Sequence, residues 1–217
     1  MGPERLTRTL LILTFVTGIV DAVAFVGLGQ VFAAMQTGNA IFLGLGIGGA
    51  GAPVGLPAIA LLSFLAGGLG AVLLSPPGAA PALRAALWVE VILLGAAAVL
   101  ALLTDPAPRD AAAYVLIALL SLTMGLRNTV ARQVGGANLA TTVLNLTLTA
   151  MTAVAPGTAA SADDLSQRAA AFLALVAGAA AGAVLLQASV GLALLAAAIL
   201  AAVALSGTAA SVVAQPS

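Results

Sequence analysis

Apolar residues run along this chain in blocks of about 20, divided by short clusters of Gly, Pro, Asp and Ser. At 1.5 Å rise per residue, each block is long enough for the roughly 30 Å hydrocarbon core of a bilayer. Eight segments can be marked, at 8–28, 31–48, 55–74, 85–104, 111–132, 138–155, 168–187 and 189–206. The breaks carry turn signals: Gly48-Gly49-Ala50-Gly51 with Pro53, Ser75-Pro76-Pro77-Gly78, Asp105-Pro106 with Pro108, Gly135-Gly136, and Pro156-Gly157. The pattern predicts an all-α polytopic membrane helix bundle, with residues 1–217 as a single transmembrane domain. Two segments break the pattern, because 31–48 carries Gln36, Thr37, Gly38 and Asn39 in its middle and 138–155 carries Thr141, Thr142, Asn145 and Thr147.

Composition removes the soluble alternatives. Hydrophobic residues make up 62% of the chain and charged ones 6%, where a soluble domain carries roughly 25% charged residues. All seven basic residues are arginine, balanced by seven acidic ones, so there is no basic surface for nucleic acid. With no histidine and no cysteine the chain lacks imidazole and thiolate metal ligands, disulfides and thiol nucleophiles. No metal or cofactor is expected, and without a nucleophile and base at a workable spacing no enzyme is expected either. The start, MGPERLTRTLLILTFVTGIVDAVAF, has the layout of a signal peptide, with Ala22-Val23-Ala24 as a possible cleavage site. Asp21 and the immediate apolar continuation instead predict an uncleaved first helix.

Sliding the chain by about 107 residues lays Gly18-Ile-Val-Asp21-Ala-Val-Ala24 on Gly125-Leu-Arg-Asn128-Thr-Val-Ala131, and the Gly29 turn on Gly136. One further residue of gap brings Thr37 onto Asn145. Two internal repeats are therefore expected, one over about 8–104 and the other over about 111–206, an arrangement that suits transporters closing around a central site.

The same stretches resemble a known family. GIVDAVAF, a Gly turn, and FAAMQTGN followed by LG look like one signature of the YoaK-like family of uncharacterised bacterial inner-membrane proteins; GLRNTVAR, GGAN and TTV look like its second. The resemblance covers nearly the whole chain in order. It implies a small multi-pass protein of the bacterial inner membrane with no established activity, commonly guessed to be a permease. Asn145-Leu146 departs from the pattern, which usually has a second Thr-Gly there, although Asn145 and Thr147 keep the position polar.

Arginine placement bears on how many segments cross, since short cytoplasmic loops are enriched in Lys and Arg. Eight spans with the N-terminus inside put Arg5, Arg8, Arg109 and Arg168 inside and Arg84 and Arg132 outside. Six spans with 31–48 and 138–155 as short re-entrant segments put Arg5, Arg8, Arg84, Arg132 and Arg168 inside and only Arg109 outside. Six is favoured, with eight as the alternative.

Candidates for a substrate or ion path are the polar residues of the apolar segments: Asp21, Gln36, Thr37, Gly38, Asn39, Glu90, Arg127, Asn128, Thr141, Thr142, Asn145 and Thr147. A carboxylate deep in a membrane helix costs about 2.5–3.5 kcal/mol on insertion scales, so Asp21 should be paired, protonated or wet. Repeat symmetry suggests Arg127 as its partner, in a structural ion pair or at a shared site. Glu90 follows Trp88 by two residues, and an indole favours headgroup depth, which leaves Glu90 either interfacial or interior. Arg132 is read as an interfacial snorkelling residue. Gly67, Gly68, Gly70, Gly178 and Gly182 read as close-packing faces that hold the bundle together or mediate a homo-oligomer. The expected function is a small-solute permease in the lipid bilayer, acting on an unknown solute, with a non-transporting membrane scaffold as the alternative.

Overall fold

The structure is a computed structural model that describes residues 3–135 and 162–209. Its helices are α1 (Pro3–Ala22), continued by a π-helical stretch (Val23–Gly29), then α2 (Gln36–Ile47), α3 (Gly55–Leu74), α4 (Ala79–Thr104), α5 (Ala111–Gly135), α6 (Ala162–Leu186) and α7 (Val190–Ala209). Among the described residues, six stretches are long and apolar enough to cross a membrane: α1 with its π-helical extension, α3, α4, α5, α6 and α7. Large side chains such as Leu69, Leu73, Leu103 and Leu173 point outward on these spans, as a lipid-facing surface requires. Segment 138–155, with Thr141, Thr142, Asn145 and Thr147, lies outside the described residues.

The second expected segment is not one helix. Residues 31–35 are irregular and α2 has only 12 residues, about 18 Å at 1.5 Å per residue, too short for the hydrocarbon core. The chain also returns to the end it left. A β-carbon on Gly29 would lie 2.6 Å from Leu56 at the start of α3, and Arg109, just before α5, donates its backbone N–H to the Leu28 carbonyl at 2.9 Å. Gly27 abuts Val190 at the start of α7. At the opposite end Arg5 and Arg8 lie beside Gly207, Gln133 beside Ser75 and Gly78, and Arg84 beside Ser206. Residues 30–54 therefore leave and re-enter one end without crossing, which overturns eight spans for this half. Neighbouring spans alternate in direction, and arginines 5, 8 and 84 gather at the end away from Arg109.

That first end is tied together by backbone geometry. Gly29, the last residue of the π-helical stretch, and Gln30 after it have φ of 143° and 62°, a reversal that glycine at the first position makes possible. Asp110 caps α5, its carboxylate accepting the N–H of Ala113 at 2.7 Å and of Ala107 at 2.9 Å. These bonds favour the ionised form and hold the group below the ordinary value of 3.8. The cap's contribution is present above that value and is lost as pH falls through the lower folded-state one.

Two helix pairs meet backbone to backbone. A β-carbon on Gly18 would run into the Leu175 carbonyl and one on Gly178 into that of Phe15, joining α1 to α6. In α3 and α5 the same relation holds, with Gly67 against Leu122 and Gly125 against Phe64. Gly182 lies against Ile19, and Gly68 against Thr129. Of Gly67, Gly68, Gly70, Gly178 and Gly182, four are thus covered within the chain, while beside Gly70 nothing lies within 4 Å.

Candidate functional site

Helix α1 is the most buried span, and its inward face is unusually polar. Thr14 and Thr17 are buried and donate their hydroxyls to the carbonyls one turn back, Leu10 at 2.8 Å and Leu13 at 2.9 Å, which is how a hydroxyl in an apolar helix satisfies itself. One turn beyond Thr17 stands Asp21, 6% exposed.

Asp21 does not pair with Arg127. Its Oδ1 accepts the backbone N–H groups of Ala33 and Ala34, both at 2.8 Å, so the irregular segment after Gln30 folds back into the bundle to the depth of Asp21. Val31, Ala33 and Ala34 are buried with it. Non-helical backbone at membrane depth is tolerated where protein encloses it and satisfies its donors; a carboxylate aimed at two N–H groups does both. Asp21 Oδ2 is buried with no hydrogen-bond partner.

The polar residues of α2 complete the enclosure. Asn39 is wholly buried; its Oδ1 accepts the N–H of Phe32 at 2.9 Å, and its Nδ2 donates to the Phe32 carbonyl at 2.6 Å and to Gln36 Oε1 at 2.8 Å. Gln36 Nε2 in turn donates to the Ala33 carbonyl at 2.8 Å. Gly38 leaves room for the Phe32 ring, 2.8 Å from where a β-carbon would stand, and that ring stacks between Phe25 and Phe42 with centroids 5.0 and 6.3 Å away. Gln36, Gly38 and Asn39 thus hold the fold of residues 31–35, while Thr37 points outward.

Arg127 pairs with Glu90 instead. Its Nη1 donates to Glu90 Oε1 at 2.8 Å and to the Leu13 carbonyl at 3.1 Å, and its Nη2 to Thr17 Oγ1 at 2.6 Å. Both partners of this ion pair are almost completely buried. The expected pairing with Asp21 is replaced because Arg127 reaches α1 one turn short of it, at Leu13 and Thr17, and meets the Glu90 carboxylate of α4 there. Trp88 is 51% exposed while Glu90 is fully buried: two residues of a helix turn about 200°, so the indole faces outward and the carboxylate inward. Glu90 Oε2 and Arg127 Nε have no hydrogen-bond partner. Asn128, on the following position of α5, is also buried.

The result is a buried cluster of two carboxylates and one guanidinium: the Arg127–Glu90 pair joins α5 to α4 and, through Thr17, to α1, while Asp21 stands one turn along α1 and holds the buried loop. If all three are ionised, the cluster carries one excess negative charge. Sequence reasoning named Asp21, Glu90 and Arg127 but missed Thr17 and the aromatic stack. The Thr14, Thr17, Asp21 spacing along one helix flank was the available signal for Thr17. Among the described residues no group of three His, Cys, Asp or Glu is placed to hold a metal ion.

A family model described as protein of unknown function (DUF1275) matches residues 9–206. The chain belongs to this family. Like the DUF1275 chain described here, the UPF0700 transmembrane protein YoaK of Bacillus subtilis (strain 168) is a membrane protein, and the two are 35% identical over 150 residues. That match spans 66% of this chain and 65% of the relative's length. No solved structure matches. The DUF1275 chain is thus a multi-pass bacterial membrane protein, as the resemblance implied.

Proposed function

We propose that this DUF1275 protein is a secondary permease for a small solute, with protonation of the Asp21 cluster coupled to alternating access. The observation that carries this reading is the placement of Asp21, Glu90 and Arg127 in the bundle interior. Ionisable groups are costly there, and in transporters they mark ion and proton relays. An excess of one negative charge in an occluded site invites a proton or a small cation. Unpartnered oxygens on Asp21 and Glu90 offer places to receive it.

Internal symmetry supports the alternating-access part. Gly18 and Phe15 correspond to Gly125 and Leu122, and Gly67 and Phe64 to Gly178 and Leu175. With offsets of 107 and 111 residues, exchange of two such repeats would carry the close contact of α1 with α6 onto that of α5 with α3. Three spans in each repeat would make the halves inverted, a layout in which one half rocks against the other around a midplane site. In this reading residues 31–48 form one re-entrant segment and 138–155 the other. The places of Thr141, Thr142, Asn145 and Thr147 in the path rest on the sequence alone, whereas Gln36 and Asn39 serve the loop rather than a solute.

Asp21→Asn is the discriminating variant, because an amide oxygen can still accept from Ala33 and Ala34 but cannot titrate. Proteoliposomes with a trapped pH dye, exposed to a panel of small neutral and cationic solutes, should show solute-dependent proton movement with the native protein. The Asn variant should fold normally and lose at least tenfold of that proton movement. Flux that keeps its proton coupling in the variant would refute the role of Asp21. Absence of flux for every solute tried would favour the scaffold reading.

Topology has its own test, made simple by the absence of native cysteine. Single cysteines at positions 80 and 107 should react with an impermeant thiol reagent from opposite sides, 80 from the cytoplasm and 107 from outside. Labelling of position 80 from outside, with the N-terminus inside, would contradict the six-span arrangement.

A further inference from the structure

At the end of the bundle away from Arg109, a concavity of about 390 Å³ opens between the start of α1 and the end of α7. Arg5, Arg8, Thr9 and Ile12 share one flank of α1 at helical spacing, and Val203 and Ser206 face them from α7. Both arginines are exposed, and among the described residues neither guanidinium has an ion-pair or hydrogen-bond partner. Two unpaired cations in one concavity of a chain with seven basic residues in all need a physical account beyond orientation.

We propose that this concavity binds the headgroup of an anionic phospholipid. Its depth is suitable, since the first span starts at Glu4 and the last ends at Thr208, which sets the arginines at the boundary of headgroup and hydrocarbon. The chemistry changes along the groove in the order a lipid needs: guanidinium forks suited to a phosphate at the mouth, then Ile12 and Val203 where the glycerol backbone gives way to acyl chain. Basic pockets between spans on the cytoplasmic side are a recurring mode of anionic lipid recognition. The positive end of the α1 dipole adds to the attraction, while Glu4 and the negative end of α7 oppose it. Two full charges outweigh one carboxylate and a partial charge. A free phosphate would use the same arginines but would leave the apolar part of the groove unused, so the lipid is the better occupant.

Native mass spectrometry of the full-length protein, exchanged from detergent into micelles doped with phosphatidylglycerol, phosphatidylcholine or inorganic phosphate, tests the assignment. Phosphatidylglycerol should remain bound as a one-to-one adduct where phosphatidylcholine does not. The Arg5→Gln/Arg8→Gln double variant should bind it roughly ten- to thirtyfold more weakly, from about a factor of five per surface cation. Arg5→Lys/Arg8→Lys should keep most of the binding, and Arg132→Gln, an exposed arginine on α5, should change nothing. Equal retention of phosphatidylcholine, undiminished binding in the double Gln variant, or displacement of the lipid by inorganic phosphate would each overturn the proposal.

Discussion

Arg127→Met is expected to be the most damaging single change in the charged cluster, costing about 3–5 kcal/mol, because it leaves Glu90 buried in the bundle with no counter-charge. Glu90→Leu alone should cost a similar amount by stranding the guanidinium, whose remaining partners are the Thr17 hydroxyl and the Leu13 carbonyl. The double variant Glu90→Leu/Arg127→Met removes both charges, and replacing a whole buried pair with apolar side chains of similar size is often neutral or stabilising. Thermal unfolding in detergent should therefore show two strongly destabilised single variants and a double variant close to the native protein. Flux separates the roles that stability alone would merge. A double variant that folds well and no longer transports assigns the pair to mechanism, whereas one that folds well and transports normally makes it structural only. If the two single losses simply added in the double variant, the pair would not be interacting, and the geometry around Arg127 would be refuted.

Gly178→Ala and Gly125→Ala should be comparably severe, despite each adding a single methyl group. In both cases the new β-carbon meets a backbone carbonyl, of Phe15 or Phe64, which no change of rotamer can move aside. The helices must separate along their length, and the cost should exceed the roughly 1–3 kcal/mol typical of overpacking in a core that can relax. Gly95→Ala is the matched control, because nothing lies within 4 Å of its β-position. There the change should instead stabilise by about 0.5–1 kcal/mol, through helix propensity. Folded yield and melting temperature, read side by side for the three variants, check this. Similar behaviour of all three would mean that α1 does not pack on α6, nor α3 on α5, through these glycines. If the paired contacts also serve as the surfaces on which the halves rock, milder variants such as Gly182→Ala should slow flux more than they lower stability.

Legibility differed sharply between fold and site. Segment ends at 55–74 agree with α3, because Pro53 and the Ser75-Pro76-Pro77 run terminate the apolar block from both sides. By contrast 85–104 underestimates α4, which starts at Ala79: Ala and Leu around Arg84 are good helix formers, and the arginine hid them from a reading based on apolar runs. In the run from Val31 to Gly48 the break lies before the polar residues, not at them, since Gln36 to Asn39 form the first turn of α2. The run's first five residues pack as irregular backbone, and the polar residues are what satisfy them.

Composition and segment length are enough to place this chain in a membrane, to make its spans helices, and to single out the few side chains that could do anything but pack. They suffice because a bilayer accepts so few kinds of structure. Tertiary structure decided the partners. Asp21 bonds to the backbone of a loop twelve residues ahead, and Arg127 finds Glu90 rather than Asp21. These outcomes depend on which helix face turns toward which neighbour, at distances of a few ångströms, and a sequence pattern carries no information about which third helix supplies a partner at that depth.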